Sequence, residues 1–92
     1  MSRQRLHVLY SGTVQGVGFR YTVRQLAAGF EVCGTVRNLL DGRVELVAEG
    51  ERAELEAFLA AIRDSGLGAH IRNEAITWSP PQGNLRGFQI VP

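Results

Sequence analysis

At 92 residues and a formal net charge of +1, the chain has room for one domain, residues 1–92, and too little charge to argue for a nucleic-acid or membrane partner. An apolar fraction of 45% and a charged fraction of 21% are ordinary for a globular domain; no apolar run approaches the ~20 residues that cross a bilayer, and Met1 to Arg5 leads into no signal-peptide core. The lone Cys33 has no internal disulfide partner and every basic side chain is Arg, which excludes Lys-nucleophile and P-loop chemistry and points to the cytoplasm.

Leu6, Val8, Tyr10, Gly12 and Val14 alternate with His7, Leu9, Ser11 and Thr13, a period of two that predicts a first strand. Gln15-Gly16-Val17-Gly18 breaks the alternation and predicts a loop. From Phe19 the period changes. Phe19, Val23, Leu26, Ala27 and Phe30 follow helical spacing, with Gly29 as the stop. Glu31 to Arg37 predicts a second strand, with Val32, Gly34 and Val36 on one face. Asp41-Gly42 marks a hairpin. The return strand, Arg43 to Glu49, has Val44, Leu46 and Ala48 inside and Arg43, Glu45 and Glu49 outside.

Leu55, Phe58, Leu59 and Ile62 form the stripe of an amphipathic second helix. It opens at Glu51, gathers Glu51, Glu54 and Glu56 at its positive end, and stops at Gly66. Leu67 to Ala69 predicts a loop, and Ile71 to Trp78 a strand whose weak alternation fits a bulge. Residues 79–83 predict a turn and Phe88 to Val91 a short strand at an edge.

The order β-α-β-β-α-β plus a short fifth strand predicts an α+β, ferredoxin-like sandwich: an antiparallel sheet with two helices on one face. Strands one and two, joined by a helix, then run parallel through a right-handed crossover, with strand three between them. Their C-terminal ends meet at one rim, which brings the Gln15 to Arg20 loop to Asn38.

Gln15-Gly16-Val17-Gly18-Phe19-Arg20 therefore joins a strand to a helix N-terminus. Its glycines admit positive φ and close approach of a ligand to the backbone. Successive N–H groups in such a turn form an anion nest, and the helix adds its own free N–H groups and positive end. Arg20 supplies a planar fork that matches two phosphate oxygens. The physical reading is a pocket for a phosphate-sized dianion.

Gly12-Thr13-Val14-Gln15-Gly16-Val17-Gly18-Phe19-Arg20-Tyr21 resembles the signature of the acylphosphatase family. Gly34 to Glu45, read as Gly-Thr-Val-Arg-Asn-Leu-Leu-Asp-Gly-Arg-Val-Glu, resembles that family's second block, and the likeness runs on through the second helix to Gly87-Phe88-Gln89-Ile90. The resemblance implies hydrolysis of a small-molecule acyl phosphate to a carboxylate and inorganic phosphate by in-line attack of water, with no cofactor, no metal and no phosphoenzyme. It implies that Arg20 and the backbone N–H groups of Gln15, Gly16, Val17, Gly18 and Phe19 hold the phosphate, and that the Asn38 amide orients the water. Inorganic phosphate is then expected as a product inhibitor. Nothing in the sequence demands more than a monomer. Thr35, where the family often has an aromatic residue, Leu67, where it often has Pro, and the Val91-Pro92 ending depart from the pattern and bear on packing rather than chemistry.

The elementary chemistry agrees with that implication. A carboxylate leaving group with a solution pKa near ~4 to 5 departs without a proton, so no general acid is required. Positioning and charge stabilisation supply most of the catalysis of phosphoryl transfer.

Each feature alone has a blander explanation. A Gly-x-Gly loop is most often a tight turn, Arg20 a solvated helix-start residue, and Asn38 turn chemistry leading into Asp41-Gly42. The predicted rim and the family pattern raise all three together. A Cys-based phosphatase would need an Arg six residues after Cys33, where Leu39 stands. His7 and His70 have no partner at metal-ligand spacing and are expected at the surface, as are Arg24 and Arg37, the latter able to extend the positive field at the rim.

Two non-enzymatic alternatives share the fold. In an RNA-recognition domain a basic residue belongs at Gln15, aromatics belong at Val17 and Thr22, and the motif lies on a strand rather than before a helix. A carbamoyl-phosphate-type anion-binding domain forms part of a much longer chain, whereas this one is expected to stand alone.

Overall fold

Leu6, Val8 and Tyr10 are fully buried, and their alternation builds the central strand β1 (Arg3–Gly12) of a computed structural model that describes residues 2–92. The remaining elements follow as α1 (Phe19–Ala27), β2 (Val32–Asn38), β3 (Val44–Glu51), α2 (Arg52–Asp64), a short 3-10 helix (Gly66–His70), β4 (Ile71–Ser79) and β5 (Phe88–Ile90). The sheet order is β4-β1-β3-β2-β5. β3 lies between the parallel strands β1 and β2, as the crossover argument requires. β5 pairs parallel to β2 at the edge, so the sheet is mixed rather than antiparallel throughout.

Both helices lay their stripes on one face of the sheet. Phe19, Val23 and Ala27 of α1 and Leu55, Phe58, Leu59 and Ile62 of α2 are buried there against Leu6, Val8, Val36 and Leu46. Phe58 sits at the centre of an aromatic cluster, with its ring 5.7 Å from Phe30 and 5.7 Å from Phe88. Such contacts add about 0.5–1.5 kcal/mol each beyond the area they bury. The short edge strand β5 is held by this cluster as well as by its pairing with β2.

Three local features differ from the sequence expectation. The Leu67 to Ala69 loop lies inside the 3-10 helix, because the Ser65 hydroxyl accepts from the Leu67 N–H at 3.2 Å and Leu67 is an apolar anchor at 4% exposure. The bulge expected in the Ile71 to Trp78 strand is present there: the successive residues Ser11 and Gly12 pair with Asn73 and Ile71, which leaves Arg72 as the extra residue on β4. At Gly12, with φ +130°, a Cβ would run into the His70 carbonyl oxygen.

The hairpin turn is centred one residue earlier than Asp41-Gly42. The Gly42 N–H donates to the Leu39 carbonyl at 3.2 Å, so Leu40 and Asp41 are the central residues and Gly42 follows them at φ +96°. Asp41 keeps a negative φ, which a type I′ turn would not allow.

Glu49 points to the open face as expected, yet it is only 1% exposed. The loop after β4 folds over it, so that its carboxylate accepts the Gln82 N–H at 2.8 Å, the Gly83 N–H at 3.0 Å and an Arg5 N–H at 2.7 Å. Burial alone would raise its pKa. The Gln82, Arg5 and Gly83 hydrogen bonds outweigh that effect and hold the carboxyl below its ordinary range.

Candidate active site

The loop between β1 and α1 is pinned at both ends by apolar anchors. Val14 is fully buried and Phe19 is 2% exposed, its ring 5.0 Å from that of Tyr10. Between them Gly16 and Gly18 take φ of +79° and +76°. A Cβ at either would meet nothing within 4 Å, so the left-handed backbone, not crowding, is what favours glycine here. Gly18 is the N-cap of α1 and has no side chain to occupy the first-turn N–H groups, which leaves them for a ligand.

On the neighbouring strand, Asn38 is the last residue of β2 and pairs with Val44 across the hairpin. Asn38 and Arg20 line one cavity of about 130 Å³, together with Val14, Gly16, Gly18, Phe19 and Tyr21. A water's share of liquid volume is ~30 Å³, so the space suits a phosphate and one water.

Five of the seven expected site residues thus meet at the cavity: Gly16, Gly18, Phe19, Arg20 and Asn38. The other two are not among its lining. Val17 is half-buried and packs on the core. The Gln15 side chain turns the other way, toward the hairpin. Its amide donates to the Leu39 carbonyl at 2.7 Å and to the Arg43 carbonyl at 3.0 Å, tying the loop to the turn that follows Asn38. Sequence reasoning missed this second use of Gln15, since a polar residue between Val14 and Gly16 signals only a loop. It also missed Tyr21 as a lining residue, although its place beside Arg20 in the first helical turn was available.

The charges at the rim sort themselves clearly. Arg37 is engaged by Glu45 at 2.7 Å, so it does not carry a free charge to the rim. Arg43 is engaged by Asp41 at 2.8 Å, and its side chain holds the Asp41 carboxyl below the ordinary range. Among the described residues Arg20 makes no ion pair. Arg20 is half-buried and stands in the first turn of α1, where its charge and the positive end of the helix have the same sign. Glu45 also faces His7 at 2.9 Å on the open face of the sheet. Among the described residues no three His, Cys, Asp or Glu side chains stand together as metal ligands.

Comparison with known proteins gives this fold and loop a family. The acylphosphatase family model matches residues 6–90. An acylphosphatase of Roseiflexus sp. is 42% identical over 91 residues, covering 99% of this chain and 98% of the relative. The crystal structure of acylphosphatase from Bacillus subtilis superposes with a TM-score of 0.88 at 34% identity, covering 97% of this chain and 99% of that one. A segment of T. kodakarensis HypF is also similar, at 33% identity and a TM-score of 0.83, but it covers 97% of this chain and only 12% of HypF.

The chain belongs to the acylphosphatase family, and its fold is the ferredoxin-like α+β arrangement of those structures. Among the described residues no helix is long and apolar enough to cross a membrane.

Proposed function

We propose that this chain, acting as a single domain over residues 1–92, hydrolyses acyl phosphates to a carboxylate and inorganic phosphate. The observation that carries the reading is that Arg20 and Asn38, on different elements, line the same phosphate-sized cavity as Gly16 and Gly18. Its family membership carries the reaction class.

The Arg20 guanidinium grips two phosphate oxygens as a fork, and the backbone N–H groups of the Gln15 to Phe19 loop take the rest. The Asn38 amide holds a water in line with the bond to the leaving carboxylate. The water oxygen attacks phosphorus, the bond from phosphorus to the carboxylate oxygen breaks, and the water's proton passes to a phosphate oxygen. The carboxylate leaves unprotonated, so an arginine, an amide and fixed backbone dipoles suffice. The finer parts of the same reading are turnover without metal, competitive inhibition by inorganic phosphate, and a cytoplasmic monomer; the free Cys33 fits a reducing compartment.

The test is hydrolysis of acetyl phosphate with and without a chelator. Turnover that survives chelation, with competitive inhibition by inorganic phosphate and loss in Arg20→Ala and Asn38→Ala variants that still fold, supports the proposal. Turnover that appears only with added metal contradicts the mechanism.

A second reading has one observation behind it, the likeness to a segment of HypF. On that reading the same cavity holds an anion as part of a larger assembly and turns nothing over. Calorimetric phosphate binding without acetyl phosphate hydrolysis would select it.

A further inference from the structure

Resting on the acyl phosphate reading, we propose that the exposed ring of Tyr21 is the surface against which the substrate's acyl group lies, and that the enzyme therefore favours acyl phosphates with a flat aromatic acyl group over short aliphatic ones.

The cavity size forces the acyl group outside. At about 130 Å³ it is slightly smaller than the ~150 Å³ cavity that holds one benzene, so a phosphate and its water fill it. Everything beyond the bridging oxygen must rest on the rim.

The rim offers one large apolar surface. Tyr21 lines the cavity and is 65% exposed. It stands in the first turn of α1, and helical side chains lean toward the helix N-terminus, which tilts this ring back over the Gly18 end. Among the described residues the other exposed large hydrophobics are Leu40 and Ile76, neither of which lines the cavity. An aromatic ring so exposed adds little to folding, but its face suits a second flat π system. The methyl of an acetyl group is too small to cover it.

Such contact is felt equally in the ground state and the transition state, so its loss shows in KM while kcat holds. The measurement is kcat/KM for benzoyl phosphate and for acetyl phosphate, in wild type, Tyr21→Ala, Tyr21→Phe and Ile76→Ala. Tyr21→Ala should lower the benzoyl-to-acetyl ratio about fivefold, through the KM for benzoyl phosphate. Tyr21→Phe, which keeps the ring, and Ile76→Ala, remote from the cavity, should keep the ratio.

A ratio unchanged in Tyr21→Ala, with both substrates still hydrolysed, overturns this inference and leaves the acyl phosphate reading intact. Failure of the wild type to hydrolyse either substrate overturns both. A phosphate inhibition constant unchanged in Tyr21→Ala shows that the phosphate site is whole, so the ratio can be read.

Discussion

The Gln15 side-chain amide donates to the Leu39 carbonyl at 2.7 Å, and with its second bond to the Arg43 carbonyl at 3.0 Å it stitches the loop before α1 to the hairpin after β2. Arg20, in the first turn of α1, and Asn38, the last residue of β2, adjoin these two stretches. The cavity is therefore held not only by the sheet but by a side chain outside its lining that ties together the two segments flanking it.

Replacing Gln15 should loosen that tie. Gln15→Ala leaves two carbonyl groups short of a donor, and Gln15→Glu sets a carboxylate against them. Gln15→Ala should lower kcat for acetyl phosphate roughly tenfold, because a small misplacement of a positioned group is expensive. Stability should fall by about 1–2 kcal/mol. Gln15→Glu should be worse on both counts. Steady-state kinetics and urea melts on the two variants check this; a kcat within twofold of wild type in both would remove Gln15 from the account.

Two glycines make a contrasting pair. At Gly16 a methyl meets no atom within 4 Å, but the backbone stays at φ +79°. Gly16→Ala should lose about 1 kcal/mol of stability, while its methyl intrudes on the cavity and weakens phosphate inhibition by roughly tenfold. At Gly12 the φ is +130° and the added methyl collides with the His70 carbonyl oxygen and the Arg72 backbone. Gly12→Ala should lose more than about 3 kcal/mol. Denaturation midpoints and inhibition constants measured on both variants separate the two costs.

The Glu49 clamp makes an acid-stability prediction. Its carboxyl is held below the ordinary range in the folded chain, so its contribution is complete above the unfolded value near ~4.3 and is lost as pH falls through the folded value. Glu49→Gln should lower stability by about 2 kcal/mol at pH 7 and flatten the loss of stability below pH ~4. Some acid sensitivity should survive, because Asp41 and Glu45 are also held low. Melting temperature followed across acid pH reads the difference; parallel curves for wild type and variant would rule the clamp out.

The architecture was legible in the sequence because period-two runs such as Leu6-Val8-Tyr10 and the Leu55, Phe58, Leu59, Ile62 stripe report burial directly. The meeting of Arg20 with Asn38 followed from topology once β1 and β2 were seen to be joined by a helix. What the sequence hid was decided at longer range. Glu49 reads as an outward strand residue until the 82–83 backbone closes over it. The Leu67 turn reads as a loop until Ser65 caps it and the core takes Leu67. Arg37 reads as a free rim charge until its pairing with Glu45 across β2 and β3 is known.

The most direct measurement of the central claim is a double-mutant cycle on acetyl phosphate hydrolysis with Arg20→Ala, Asn38→Ala and the combined variant, each verified as folded. If one phosphate and its water are shared by both side chains, each single change should lower kcat/KM by roughly a hundredfold or more, and the double change by clearly less than the product of the two. Single variants that keep near-normal turnover, or a double variant that falls by the full product, would contradict a shared site.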